Sequence, residues 1–437
     1  MRAFRFGLLG LIALFALALA GLFALSLLPE REEGGTSLTA RQDQEAATPS
    51  DLLARGRYLA LAGNCAGCHT ARGGGAYAGG RAMRTPFGTV YTSNLTPDAA
   101  TGLGAWSAGD FWRAMHHGRS RDGRLLYPVF PYPNYTRVTR ADSDALHAFL
   151  KTVPALAQAN TAHALRFPYN NRLLLSAWRA LYFKPGVYQT DARENKEWNR
   201  GAYLVQGLGH CNACHTGRDA LGGPERSADL AGGMIPMLDW YAPSLNSDAQ
   251  AGLGAWQAHE IVALLRTGTS PRGAVFGPMA GVVYQSLQHL DEHDLRAMAV
   301  YLKSLPPTAP SRAGAVPPVT EAQRKAVMAA GAKLYDRHCA DCHAAGGEGI
   351  APAYPPLAGN RSISMDSAAN AIRIVLNGGF APATAGNPRP YGMPPFRVSL
   401  NDAEIAAVVS YIRNSWGKRA AMVSPLEVDR HRSTPVD

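Results

Sequence analysis

The longest apolar run in the chain, Phe6 to Leu28 (FGLLGLIALFALALAGLFALSLL), carries no charge. At about 1.5 Å per residue it can cross the roughly 30 Å hydrocarbon core of a bilayer. It predicts a transmembrane helix. The apolar region of a cleaved export signal is usually about 7 to 15 residues and ends at small residues. Here the run is longer and passes into Pro29-Glu30-Arg31, so a retained anchor is expected. Arg2 and Arg5 precede the run, and basic flanks stay in the cytoplasm, so everything after Leu28 is expected on the far side of the membrane. In a Gram-negative bacterium that is the periplasm.

Beyond the anchor the pattern repeats itself. Three short helical signals pair glycine with an aromatic: Gly56-Arg-Tyr58-Leu59, Gly201-Ala-Tyr203-Leu204 and Gly331-Ala-Lys-Leu334-Tyr335. Each is answered some 80 to 100 residues later by a second helix. The starts of these helices read Thr139-x-x-Asp142, Asp291-x-x-Asp294 and Asn401-x-x-Glu404, a capping residue three before an acid. The second helices share the triplets Phe149-Leu-Lys151, Tyr301-Leu-Lys303 and Tyr411-Ile-Arg413, and GLGAW occurs at Gly102–Trp106 and Gly252–Trp256. Strand signals are nearly absent, so the fold class is mainly α with long loops. The segments expected are an anchor (1–28), a linker (29–51), a first domain (52–154), a linker with an apolar helix (155–195), a second domain (196–306), a Pro-rich linker (307–322), a third domain (323–417) and a loose tail (418–437). In the second linker, Arg172 to Lys184 is apolar on most of its circumference with basic ends. It reads either as a helix packed between domains or as one lying in a membrane interface, with Trp178 and Tyr182 at headgroup level.

Length and charge add limits. At 437 residues, 46% of them hydrophobic, the chain suits roughly three domains of about 150 residues each. A net charge of +10 would suit an anionic partner or membrane surface, but the basic residues are scattered, without the stripe that nucleic-acid binding needs.

All six cysteines fall in three copies of one pentapeptide, Cys65-Ala-Gly-Cys68-His69, Cys211-Asn-Ala-Cys214-His215 and Cys339-Ala-Asp-Cys342-His343. C-x-x-C-H is the attachment signal for c-type haem: the thiols form thioethers to the vinyl groups, and the histidine is placed under the iron. A structural zinc site wants four ligands, more than each copy offers, and a redox dithiol has no need of the histidine. Three covalently bound haems are therefore expected, on His69, His215 and His343.

An iron used for electron transfer usually takes methionine on its second face. Met393 in YGMPPF and Met279 in FGPMAG lie in corresponding places, each after a helix ending in glycine (Gly378, Gly268). The corresponding stretch after Gly118 offers Phe130, followed by Pro131 as Met393 is by Pro394, and phenylalanine cannot ligate. Met83, Met115, His116 and His117 are the nearby substitutes, beside a vacant or water-filled position. Met83 follows Gly79-Gly80 much as Met237 follows Gly232-Gly233, suggesting a shared loop position. Met115 aligns with Leu265 as core, and His117 lies beside the helix-ending glycine, where it could reach a propionate instead.

The glycine-crossed helices beside each pentapeptide resemble the class I cytochrome c fold. The chain from Gly56 to Trp416, with TPFGTVYTSNLTPD, GLGAW, LYP-x-x-PY, LAGGM, LAGN and VVSYIRNSWG, resembles the three-haem cytochrome c subunits of bacterial membrane-bound dehydrogenases for alcohols, gluconate, sugars and aldehydes. In the quinoprotein alcohol-oxidising relatives the first-domain segment resembles LYPAMPY. Here it reads LYPVFPY, closer to cytochromes paired with molybdenum hydroxylases of aldehydes or N-heterocycles. The resemblance implies an N-terminal transmembrane helix followed by three class I cytochrome c domains. It implies electrons entering from a dehydrogenase large subunit of molybdopterin, PQQ or flavin type, with a small Fe–S subunit in some complexes, and leaving to ubiquinone. A multihaem peroxidase or a terminal-oxidase subunit is the rival class, and no distal acid/base constellation favours the former.

Overall fold

The computed structural model describes Gly21 and residues 48–249, 251–308 and 319–434. Apart from Gly21, the anchor expected at Phe6–Leu28 lies outside the described residues. Among those described, no helix is long and apolar enough to cross a membrane. The fold is mainly helical, and it divides into two compact units, one of residues 48–60, 68–189 and 220–223, the other of 61–67, 190–219 and 224–434.

In chain order the first repeat runs α1 (Pro49–Ala62), the short turn α2 (Cys65–His69), the hairpin β1 (Ala82–Thr85) and β2 (Gly88–Tyr91), α3 (Ala108–His117) and α4 (Arg140–Leu150). Strand β3 (Ala164–Leu165) adds to the hairpin, in the order β1-β2-β3. Ser107 and Asp110 form a capping box at the start of α3, which ends at Gly118 with φ +62°. Leu59, Val138, Leu146 and Leu150 are buried where α1 and α4 meet. The linker helix α5 (Arg172–Tyr182) docks within this unit: Arg179 donates to the His117 carbonyl at 2.6 Å and its guanidinium stacks over Tyr132 and Phe183. Leu173 and Leu181 on the same helix stay exposed.

The second unit repeats the plan twice. First come α6 (Lys196–Gln206), α7 (Asn212–His215), the hairpin β4 (Gly233–Ile235) and β5 (Trp240–Ala242), and α8 (Ala258–Thr267). The hairpin β6 (Thr269–Ser270) and β7 (Gly273–Ala274), α9 (Pro278–Gln285) and α10 (Glu292–Ser304) complete that copy. Then follow α11 (Glu321–His338), α12 (Ala340–His343), α13 (Ala369–Asn377), the pair β8 (Gly379–Phe380) and β9 (Gly392–Met393), α14 (Asp402–Arg413) and α15 (Pro425–Arg432).

The crossings have one cause. A Cβ added to Gly56, Gly201 or Gly331 would lie 2.0, 1.9 or 2.3 Å from the carbonyl oxygen of Ala145, Ala297 or Ala407. The same imaginary methyl would strike the Cβ of Phe149, Tyr301 or Tyr411, the first residue of each repeated triplet. Only glycine lets the two helices approach this closely, which offsets its usual cost of roughly 0.5–1 kcal/mol inside a helix.

Of the three acids in the helix-start signals, Glu404 reaches back to the Asn401 N–H at 2.9 Å as a capping box requires. The Asp142 N–H donates to Thr139 Oγ1 at 3.2 Å, and the buried carboxylates of Asp142 and Asp294 also pair across the crossing, with Arg55 at 2.6 Å and Arg200 at 2.6 Å. One expectation changes. Residues 418–434, expected as a loose tail, are packed. Lys418 donates to the Leu357 and Asn360 carbonyls, Val428 is fully buried in the core with Ile372, Ile405 and Val409, and Arg432 pairs with Asp402 at 2.7 Å. Met422, Val423 and Val428 are buried, while Leu426 between them stays exposed, and side chains so scattered in sequence do not signal the packing.

Candidate haem sites

Each pentapeptide forms one helical turn directly after a long helix, so its two thiols lie three residues apart on one face, with the histidine next in line. Two hydrogen bonds recur at every copy. The N–H groups of Gly79, Gly232 and Gly349 donate to the carbonyls of His69, His215 and His343 at 2.8, 2.9 and 3.0 Å. All three glycines have positive φ (+77°, +91°, +71°), which lets the following loop fold back under the histidine. The histidine Nδ1 then donates to a backbone carbonyl in that loop: His69 to Ser93 at 2.7 Å, His215 to Pro243 at 2.7 Å and His343 to Pro355 at 3.0 Å.

A carbonyl can only accept, so the proton sits on Nδ1 and the lone pair on Nε2. Burial lowers the pKa of all three imidazoles, that of His215 to about 4, and keeps them neutral. A neutral ring with a fixed Nδ1–H and a presented Nε2 is the form in which histidine ligates iron. The thiols fit the same group. Burial raises Cys68, takes Cys211 up to about 12 and Cys339 up to about 11, so these sites favour uncharged sulfur, as in a thioether, over the thiolate zinc needs. Among the described residues no cluster of three or more His, Cys, Asp or Glu could hold a metal ion. The donor set therefore suits covalent haem, with Cys65, Cys68, Cys211, Cys214, Cys339 and Cys342 as attachment points.

Further along each repeat the helix-ending glycines make matching bonds. The Gly118 carbonyl accepts from Leu126 N–H at 2.8 Å and the Gly268 carbonyl from Val275 N–H at 2.9 Å. Phe130 and Met279 each lie four residues further on, Phe130 in the turn ahead of the short helix Tyr132–Tyr135 and Met279 in the first turn of α9. In the third repeat Met393 pairs with Gly379 across β8 and β9, next to Gly378, and packs on the core. Phe130 lays its ring against Tyr135, centroids 5.3 Å apart.

The substitutes have other engagements. Met115 is buried in α3. His116 is buried, stacked on Trp112 at 4.4 Å, with Nδ1 3.4 Å from Thr136 Oγ1. His117 has its pKa lowered to about 4 by burial and by the cations Arg179, Arg119 and Arg113. Met83 and Met237 do not share a position. Met83 sits in β1 opposite Val90, whereas Met237 occupies the turn after β4, with φ +64° and half its surface exposed. The hairpins differ in length: Arg81 and Thr92 bond across the first, eleven residues apart, where Gly233 pairs with Ala242 nine apart, and Met83 follows Arg81 by two residues while Met237 follows Gly233 by four.

The triplets held a role their sequence did not disclose. Their third residues clamp the loop ahead of the middle helix: Lys151 donates to Gly104 O at 2.6 Å, Lys303 to the carbonyls of Gly254 and Trp256, and buried Arg413 to Ile363 O at 3.0 Å and Met365 O at 2.8 Å. A cation spaced two residues after an aromatic at each helix end was the available signal.

A cytochrome c family model matches residues 53–154 and 328–416. The chain is 38% identical over 416 residues to the alcohol dehydrogenase (quinone) cytochrome c subunit of Gluconacetobacter polyoxogenes, covering 92% of this chain and 87% of that one. It is 39% identical to the gluconate 2-dehydrogenase cytochrome c subunit of Pantoea cypripedii, covering 89% and 90% respectively. A nicotinate dehydrogenase subunit of Pseudomonas putida is 40% identical over 91% of this chain, which spans 33% of that longer protein.

Proposed function

The chain belongs to the cytochrome c family, among the cytochrome c subunits of bacterial dehydrogenases, and from that premise we propose that it is a three-haem relay carrying electrons from a catalytic dehydrogenase subunit to ubiquinone. In this reading Phe6–Leu28 anchors it in the cytoplasmic membrane, and three cytochrome c domains, about 52–154, 196–306 and 323–417, face the periplasm. Each cysteine pair holds one haem c. His69, His215 and His343 ligate the irons from the proximal side, Met279 and Met393 from the distal side. The bound haem supplies an iron that passes one electron at a time between ferric and ferrous states. The chain's own residues fix the imidazole tautomer and keep the ligand neutral and buried. No substrate chemistry is assigned to it.

The observation that carries the reading is the threefold recurrence of one cradle, glycine N–H to histidine carbonyl and histidine Nδ1–H to loop carbonyl. A denatured, reduced pyridine spectrum should count three haems per chain; two, or haem extractable with acid acetone, would overturn it.

For the partner, the aromatic at the first distal position and the 40% identity to a nicotinate dehydrogenase subunit support a molybdenum hydroxylase of aldehydes or N-heterocycles, working through a small Fe–S protein. A quinoprotein alcohol dehydrogenase or flavin gluconate dehydrogenase is the second reading, favoured by the relatives that match almost end to end. Membranes with and without this chain should differ in substrate-dependent ubiquinone reduction, and equal rates would exclude the relay role.

A further inference from the structure

The second and third repeats lie in one compact unit, and the contacts between them are specific. The Asn370 side-chain amide both accepts from the Tyr241 N–H and donates to the Tyr241 carbonyl, each at 2.8 Å. Asp239 takes Arg373 at 3.3 Å and His431 at 2.6 Å. One contact reaches further. Arg361, the residue directly after the LAGN motif of the third repeat, is 8% exposed and crosses into the second. Its Nη1 donates to the Ser244 carbonyl and, at 3.4 Å, to the Ala251 carbonyl, and its guanidinium lies 5.2 Å from the centroid of the Trp256 ring.

Ser244 is the neighbour of Pro243, whose carbonyl receives the His215 Nδ1–H at 2.7 Å. The guanidinium is therefore bonded to the peptide next to the one that orients the second repeat's proximal histidine. The carbonyls and ring named here are uncharged partners of the guanidinium. Burial lowers its pKa only to about 10, so it stays charged at neutral pH. Its field is felt at His215, where Arg361 is one of the causes that hold the imidazole neutral.

We propose that Arg361, supplied by the third repeat, is a positioning residue and fixed positive charge for the haem on His215, raising that haem's reduction potential. The inference rests on the haem reading above. A buried cation near an iron disfavours the form with the extra positive charge, so it stabilises ferrous over ferric, and the low dielectric leaves it little screened. The His215 bond to Pro243 is local to the second repeat and survives without the arginine. Loss of Arg361 thus removes mainly the charge, and the sign is a fall in potential.

The test is Arg361→Gln in the full chain, with a haem count by pyridine spectrum and a spectroscopic redox titration. The expected result is three haems, with one potential lowered enough to change its ferrous-to-ferric ratio at least tenfold, about 59 mV for one electron, and the other two unmoved. A merely structural clamp would not select one potential. Three haems with all potentials unchanged overturn this proposal alone, whereas fewer haems in the unmodified protein overturn the haem reading instead. Should the Gln variant lose haem, Arg361→Lys decides, because a buried ammonium gives up its proton well below the usual lysine range. One potential should then fall as pH rises through that titration, over a range where the parent is flat, and a flat line in the lysine variant also overturns the proposal.

Discussion

Four residues past Leu126, whose N–H bonds the Gly118 carbonyl, stands the ring of Phe130; four past Val275, bonded likewise to Gly268, stands Met279, and the difference is one of electronic character. A thioether sulfur donates softly and favours ferrous iron; a phenyl ring donates nothing. The iron proposed at His69 then has water, a histidine or no sixth ligand, all of which favour the ferric state relative to methionine. Its potential is expected below those of the other two. Phe130→Met should add a His/Met signature to the spectrum and raise one potential by about 59 mV or more, a tenfold shift in its equilibrium. No change in any haem would place the sixth ligand on Met83 or a histidine. The companion prediction concerns Met279 and Met393: changing either to Ala should remove part of the weak charge-transfer band of ferric His/Met haem and lower one potential, while an intact band in both variants would show the ligands lie elsewhere. The place of Phe130 after a helix-ending glycine was legible, because a positive-φ cap is a local device and marks its position in the sequence. The mismatch of Met83 with Met237 was not, since it depends on strand pairing in two hairpins of different length.

Between helices, the deciding contact is a missing methyl group. Because a Cβ at Gly201 would stand 1.9 Å from the Ala297 carbonyl oxygen, Gly201→Ala should force α6 and α10 apart and destabilise the second repeat by about 1–3 kcal/mol or more, the usual cost of overpacking. A denaturation midpoint equal to the parent's would contradict the close crossing. The glycines and the triplets were both visible as repeats, but their mutual contact was not, for they lie some 90 residues apart and nothing local couples them. The acids Asp142 and Asp294 teach the same lesson. A capping motif describes neighbours three residues apart, and the pairing of these carboxylates with Arg55 and Arg200 across the crossing lies outside that window.

Over the described residues the chain is mainly helical with three copies of one cradle, and residues 418–434 pack on the third. A chain stopped after Lys418 would lose Val423 and Val428 from the core of the third repeat, at about 2–4 kcal/mol by the apolar surface uncovered. A chemical-denaturation midpoint unchanged by that truncation would refute the packing of α15. This docking, like Arg361, was illegible in the sequence because both depend on partners far outside any local window, Leu357 for Lys418, Asp402 for Arg432 and Ser244 for Arg361. The loops that open the GLGAW segments lead somewhere else. In 96–106 and 246–256 the same backbone bonds recur: Leu103 to Thr96 and Leu253 to Asn246, both 2.7 Å, then Gly104 to Asp98 and Gly254 to Asp248. Each is closed by a lysine from its own last helix. These two segments are spare parts for one another. An engineer could transplant either eleven-residue piece into the other socket and keep these two backbone bonds and the lysine that closes them.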